Sequence, residues 1–314
     1  LINRSFEGIR LGLSKLIDGL DDNLKRHSVR IVILRPIRMG DASRLTKVRG
    51  QIEVLMGISK IVTAAFLVIT LGKAALAEPV PVRYIQRPMH RLMTAHTEDG
   101  RTIANGEFSQ TVQGDEVSMR LTYHFVDGSI DDETTTYQQR GTFRLVRNHH
   151  VQQGRFFAKP VDFAVDASTG MAITRTTEKD GKVRVESEHI RLPDDVANGF
   201  VGTLLLNTLP TAKPFRVGML VPVGGGRLIR LLISPEGEQP FQTMGQTRKA
   251  AVFRIHPELG GIVGLIAPLI GLQPKDVMVW VMEGDDPAVV RIVGQLGGYG
   301  PVVSSDLEGT SFAR

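Results

Sequence analysis

The stretch "LPDDVANGFVGTLLLNTLP", residues 192–210, reads as a helix in a region that otherwise reads as strands. Val196, Phe200, Val201, Leu204 and Leu205 fall on one helical side. Asp194 or Asp195 supplies negative charge to the first turn, and Pro210 stops the segment. The spacing predicts a helix over about 194–208. From Phe200 to Leu206 the residues are nearly all apolar, so this helix should be covered on more than one side. A sheet curling around it would do that.

The flanking sequence supplies such a sheet. Val117, Met119, Leu121, Tyr123 and Phe125 alternate with Ser118, Arg120, Thr122 and His124, which gives a strand with one apolar side. Phe143 and Leu145 repeat the pattern, as do Val161, Phe163 and Val165. Asp99-Gly100, Asp127-Gly128 and Asp180-Gly181 are hairpin dipeptides that favour positive φ. Ile173–Thr177 and Val183/Val185 make a hairpin around the last of these. Strand signals resume at Met219–Val223, Leu228–Ile233, Phe241–Gly245, Ala251–Ile255, Val277–Met282, Val289–Val293 and Val302–Ser304. Residues 78–90 carry Pro79, Pro81 and Pro88 and should form an extended lead-in. The expected fold is mainly β: a curved antiparallel sheet or open barrel enclosing one central helix. A short apolar helix or loop is expected at about 258–272, within "ELGGIVGLIAPLIGLQP".

The segments "LPDDVANGFVGTLLLN", "LGGIVGLIAPLIGLQPKDVMVWV" and "DPAVVRIVGQLGGYGPVV" together resemble a group of exported bacterial proteins of unknown function. The resemblance covers most of residues 90–307 and rests on glycine, proline and apolar positions. It implies a shape and no catalytic roles. Val302-Val303-Ser304 departs from it, standing where aromatic residues would be expected. At the level of fold, a curved antiparallel sheet around a helix is also similar to periplasmic half-barrels that carry lipids and lipoproteins.

Upstream, "KIVTAAFLVITLGKAALAEP", residues 60–79, has the order of a secretory signal peptide: a basic residue, an apolar run and the small-x-small site Ala75-Leu76-Ala77 before Glu78. The apolar run is shorter than the roughly 20 residues of a membrane helix, and Lys73 interrupts it. Met56 is the expected start, with Met39 the second choice. Residues 1–55 then read as over-extended translation, 56–77 as the signal peptide, and 78–314 as a single β-rich domain. The competing reading is an amphipathic helix through Phe6, Ile9, Leu13, Leu16, Leu20 and Leu24, ahead of a short anchor.

The division changes the charge balance. The whole chain carries a formal +5. Residues 78–314 hold 25 basic and 27 acidic side chains, mixed along the sequence. Phosphate binding needs a clustered positive face, so no nucleic-acid partner is expected. Cysteine is absent, which removes disulfides, thiolate metal sites and thiol catalysis, and suits a bacterial periplasm or exterior. No stable transmembrane segment is expected in the mature chain.

The residues that could carry chemistry have plainer readings. His149 and His150 face opposite ways on a strand, and His90 and His96 lie roughly 20 Å apart along one. No metal or other cofactor is expected. Asp131-Asp132-Glu133 reads as a turn, Asp194-Asp195 as a helix start and Asp285-Asp286 as a turn before Pro287. There is no G-x-S-x-G, and the region of Ser168 reads as a hairpin turn. The expected function is therefore non-catalytic: binding of a lipid or acyl chain in the envelope. Phe200, Leu204 and Leu205, with Ile262, Leu265, Ile266 and Ile270, would line the site. The alternative is an envelope structural or interaction module with a filled core, and a hydrolase ranks below both. Cleavage after Ala77 predicts that N-terminal sequencing of the native exported protein begins at Glu78; residues from before Met56 would overturn this.

Overall fold

The alternating segments form fifteen antiparallel strands among the described residues. The computed structural model describes residues 79–157, 160–177, 181–223, 225–259, 274–284, 286–295 and 300–312. The expected signal peptide, and Asp180 and Asp285 of two expected turns, lie outside the described residues. The strands before the helix are β1 (Met89–Thr97), β2 (Thr102–Gln113), β3 (Glu116–Phe125), β4 (Ile130–Arg140), β5 (Thr142–Gln153), β6 (Val161–Asp166), β7 (Met171–Thr177) and β8 (Val183–His189). After it come β9 (Phe215–Val221), β10 (Arg227–Thr243), β11 (Gln246–Glu258), β12 (Val277–Met282), β13 (Ala288–Gln295), β14 (Val302–Leu307) and β15 (Thr310–Ser311). They make one sheet in the order β15-β10-β11-β12-β13-β14-β1-β2-β3-β4-β5-β6-β7-β8, with β9 also on β10.

The core shows how this sheet bends. Val117 and Met119 of β3, Tyr137 of β4 and Phe143 of β5 share one apolar cluster with Val217 of β9, Leu231 of β10, Phe253 of β11 and Val279 of β12. In the sheet, β3 and β12 are separated by four strands, so only a curled sheet brings both onto one core. The helix lies between them, with Phe200, Leu204 and Leu205 in the same cluster. Tyr137 and Phe200 stack with ring centroids 4.9 Å apart. The sheet is not closed into a barrel, because β8 and β9 do not pair.

The helix is shorter than the expected 194–208. A 3-10 turn at Asn198–Phe200 leads into α1, Val201–Leu206. Residues 195–197 instead run along the outer edge of β9. Gly218 N donates to Asp195 O at 3.0 Å, and Ala197 N donates to Gly218 O at 2.9 Å. Neither aspartate serves the first turn of α1. Asp195 pairs with Arg230, and Asp194 lies 3.4 Å from Arg144. The hydrogen bonds available along an unpaired strand edge won over one more helical turn. Asn198 extends this cover. Its side chain accepts from Leu220 N and donates to Leu220 O, both at 3.1 Å, imitating a neighbouring strand. Its φ of 33° is a conformation asparagine tolerates better than most residues.

Two other expectations change. Asp131, Asp132 and Glu133 lie within β4 and not in a turn; the turn ends at Ser129, whose N–H is held by Asp127 Oδ1 at 2.9 Å. The two strands expected around Leu228–Ile233 and Phe241–Gly245 are one, β10, which carries an irregularity between Pro235 and Glu238. The run Ala250–Phe253 does not alternate because both faces of β11 are buried. Ala251 and Phe253 join the cluster around the helix, while Ala250 and Val252 join Phe241, Trp280 and Val290 on the opposite face. Phe312 covers that second cluster, stacked 5.4 Å from Phe241, with the Arg291 guanidinium 4.0 Å from its ring centre.

The lead-in is extended as expected and caps one end of the core. Val80 and Val82 pack against the main cluster, and Asn207 Oδ1 accepts from Arg83 N at 2.8 Å and Tyr84 N at 2.6 Å. Of the segment expected at 258–272, Glu258 ends β11, and residues 260–273 lie outside the described residues. No helix among the described residues is long and apolar enough to cross a membrane. Because Asn198 satisfies both backbone groups of buried Leu220, Asn198→Ala should cost about 2–4 kcal/mol. A lowered urea midpoint at unchanged slope would register that loss.

Candidate functional site

Strand register decides what lines the concave face. Directly paired residues share a face, so Leu121, Glu133, His150, Phe163 and Thr174 form one row across β3 to β7. Tyr123, Asp131, Gln152 and Val161 form the next. The face that is apolar around α1 therefore becomes polar along β4 and β5.

This polar patch is densely bonded. His150 Nε2 is 2.7 Å from Asp131 Oδ1, and Gln152 Nε2 donates to Asp131 Oδ2 at 2.8 Å. Asn148 Nδ2 donates to Glu133 Oε1 at 2.8 Å and to Thr135 Oγ1 at 2.9 Å. Asn198 Nδ2 reaches Asn148 Oδ1 at 3.4 Å, tying the helix entry to this wall. Gly199 makes the close approach: a Cβ there would run into Thr135 Oγ1 and Glu133. Thr174 Oγ1 is buried with no hydrogen-bond partner among the described residues.

Burial alone would push the His150 imidazole down. The hydrogen bond to Asp131 and the charges of Glu133, Asp131 and Asp132 outweigh it, and the group is pushed up to about 9. At neutral pH it is a cation held by carboxylates, which suits a structural pair better than a general base. Tyr123 is also pushed up to about 12 by burial, and its hydroxyl pairs with Ser305. Among the described residues no group of three metal-ligating side chains converges.

The other histidines lie elsewhere. His149 points to the opposite face from His150 and sits 3.0 Å from Asp162. His90 and His96 are both on β1, beside Glu107 and Thr102 respectively. Ser168 occupies the β6–β7 turn, held by Asp166.

The apolar candidates divide. Phe200, Leu204 and Leu205 are 2%, 4% and 1% exposed and pack as core. The cavity beside Phe200 and Leu204 measures about 10 Å³, about the room for one water molecule. Ile262, Leu265, Ile266 and Ile270 lie outside the described residues, as do Ala75, Ala77 and Glu78.

A larger space lies where β2 begins and β3 ends. This groove of about 290 Å³ is lined by Ile103, Phe125, Val126 and Phe156, with Arg101 and Asp127. Its wall is an aromatic cluster: Phe125 is 4.4 Å from Phe156 and 5.3 Å from Phe157, between ring centroids. The 154–157 loop is held there by Phe156 N donating to Ser129 Oγ at 3.0 Å. Alternation marks Phe125 as a core position, whereas Ile103 and Phe156 carry no periodic signal that would join them to it.

No protein-family model matches the chain, and no curated protein does. Similar solved structures include a β-barrel-like protein of a domain of unknown function, DUF1849, from Brucella abortus. It is 9% identical with a TM-score of 0.41, over 74% of this chain and 100% of that one. A candidate lipoprotein from Parabacteroides distasonis is 10% identical with a TM-score of 0.32, over 74% of this chain and 100% of that one. Both likenesses are weak.

The His150 pair yields a pH expectation. Its folded value of about 9 lies above the ordinary 6.5, so its stabilisation is full below about 6.5 and is lost as pH rises through 9. His150→Gln should flatten the fall in thermal midpoint between about pH 6.5 and about pH 9.5. An unchanged profile would show that the pair contributes nothing.

Proposed function

We propose that this is an exported, non-catalytic protein of the cell envelope that binds an apolar ligand, a lipid or acyl chain. The observation that carries the reading is the groove walled by Ile103, Phe125, Val126 and Phe156. Its aromatic wall continues into a buried cluster with Met93, Tyr123 and Phe157, so an alkyl chain would meet a preformed surface. About 290 Å³ is at the small end of ligand sites and fits a short acyl segment better than a whole diacyl lipid. Phe200, Leu204 and Leu205 are core residues of a separate apolar cluster and do not line this groove. The second reading, an interaction module with a filled core, is favoured by the cavity of about 10 Å³ beside the helix.

Mass spectrometry of lipid co-purifying with the native protein, and titration with a fluorescent fatty acid, separate the two readings. Val126 is 78% exposed, so Val126→Asp should leave stability within about 0.5 kcal/mol while weakening fatty-acid binding about tenfold or more. A protein free of lipid that also fails to bind the probe would leave the filled-core reading.

A further inference from the structure

The two long edges of the sheet are treated differently. The edge of β9 is covered by residues 195–197 and Asn198. Among the described residues, β8 is the last strand of the sheet and pairs with β7 alone. Its seven residues are exposed except Glu186, which is partly buried. Val183 and Val185 are 58% and 59% exposed, so this edge strand presents two apolar β-branched side chains to solvent. The loop before β10 comes near the end of β8, where Gly225 lies beside Glu188.

Alternation places Val183, Val185 and Ser187 on one face of β8, and Arg184, Glu186 and Glu188 on the other. The charge order is self-complementary. If two β8 strands meet antiparallel about a twofold axis at Val185, Arg184 of each copy faces Glu186 of the other. Lys182, just before the strand, faces Glu188 of the other copy, and Val185 meets its own symmetry mate with Val183 diagonal to it. Any other such centring within the strand loses the match: an axis at Glu186 sets that carboxylate against itself and Arg184 against Glu188 only. Within one copy Arg184 and Glu186 are already 2.6 Å apart, so both charges sit on the face where the partner's would arrive.

We propose that β8 is a homodimerisation edge, pairing antiparallel with β8 of a second copy in the register centred on Val185. The contact is isologous, so it closes at two copies and uses the β8 edge of both. A single strand pair is smaller than a standard protein interface, so the dimer should be weak, with a dissociation constant on the order of micromolar. No residue of β8 lines the groove, so the pairing holds whatever the groove binds.

Sedimentation velocity of the purified protein, run up to about 100 μM, should show a concentration-dependent dimer. Arg184→Glu places like charges opposite each other at two symmetry-related positions and should weaken association about tenfold. Adding Glu186→Arg to Arg184→Glu swaps the pair and should restore the dimer, which excludes misfolding as the cause. The chain contains no cysteine, so Val185→Cys introduces a single thiol on the axis. Under mild oxidation that variant should cross-link, and Val183→Cys, which faces Ser187, should cross-link far less. A monomer throughout the concentration range, a dimer indifferent to Arg184→Glu, or equal cross-linking at the two positions would overturn the proposal.

Discussion

A sheet that curls without closing has edges whose backbone groups need partners, and the rest of this fold depends on how that need is met. The chain between β8 and β9 meets it for one edge. Residues 195–197 hydrogen-bond to Gly218, and Asn198 supplies a donor and an acceptor to Leu220. That cover brings the following residues inside the curl, where α1 is buried between β3–β5 and β9–β12. The helix is short because its expected first turn is used as edge cover. Around it, Val196 and Leu220 pack with Phe163, Val165 and Ala172, so side chains join the two parts of the sheet where strands do not.

The concave face has two chemical characters, and the boundary between them follows from register. Near α1 it is apolar and close-packed, with Phe200 and Leu205 almost wholly buried. Along β4 and β5 it carries Asp131, Glu133, Asn148, His150 and Gln152. Charged groups can be kept in such a place only when paired. The Asp131–His150 contact and the amides of Asn148 and Gln152 supply the pairing. Asn198 links this wall to the seam through Asn148, so one asparagine serves both the open edge and the polar patch. Among the described residues, the space beside Phe125 and Phe156 at the strand ends, about 290 Å³, is larger than the cavity of about 10 Å³ beside the helix.

Much of this is legible in the chain. The alternation of residues 117–125 gives a strand with its apolar side inward, and Val117, Met119, Tyr123 and Phe125 are all buried. The opposite facing of His149 and His150 follows from strand geometry and holds. The polar wall is not legible, because Asp131-Asp132-Glu133 after Asp127-Gly128 looks like more of the turn. Only the pairing of Glu133 with Leu121 and His150 shows which of these carboxylates face inward. Phe156 gives no signal either, since its contact with Phe125 depends on how one loop folds over a strand end.

The local chain thus determines the strand class, the neighbourhood of the one α-helix among the described residues and the inward side of most strands, because each depends on spacing over a few residues. It also carries the alternating charges of β8. Tertiary structure decides where the helix begins, which polar side chains are enclosed, and which edge stays open. Those outcomes depend on hydrogen bonds between residues far apart in the chain, such as Asn148 with Asn198 and Asn198 with Leu220, and no spacing within one segment encodes a partner in another.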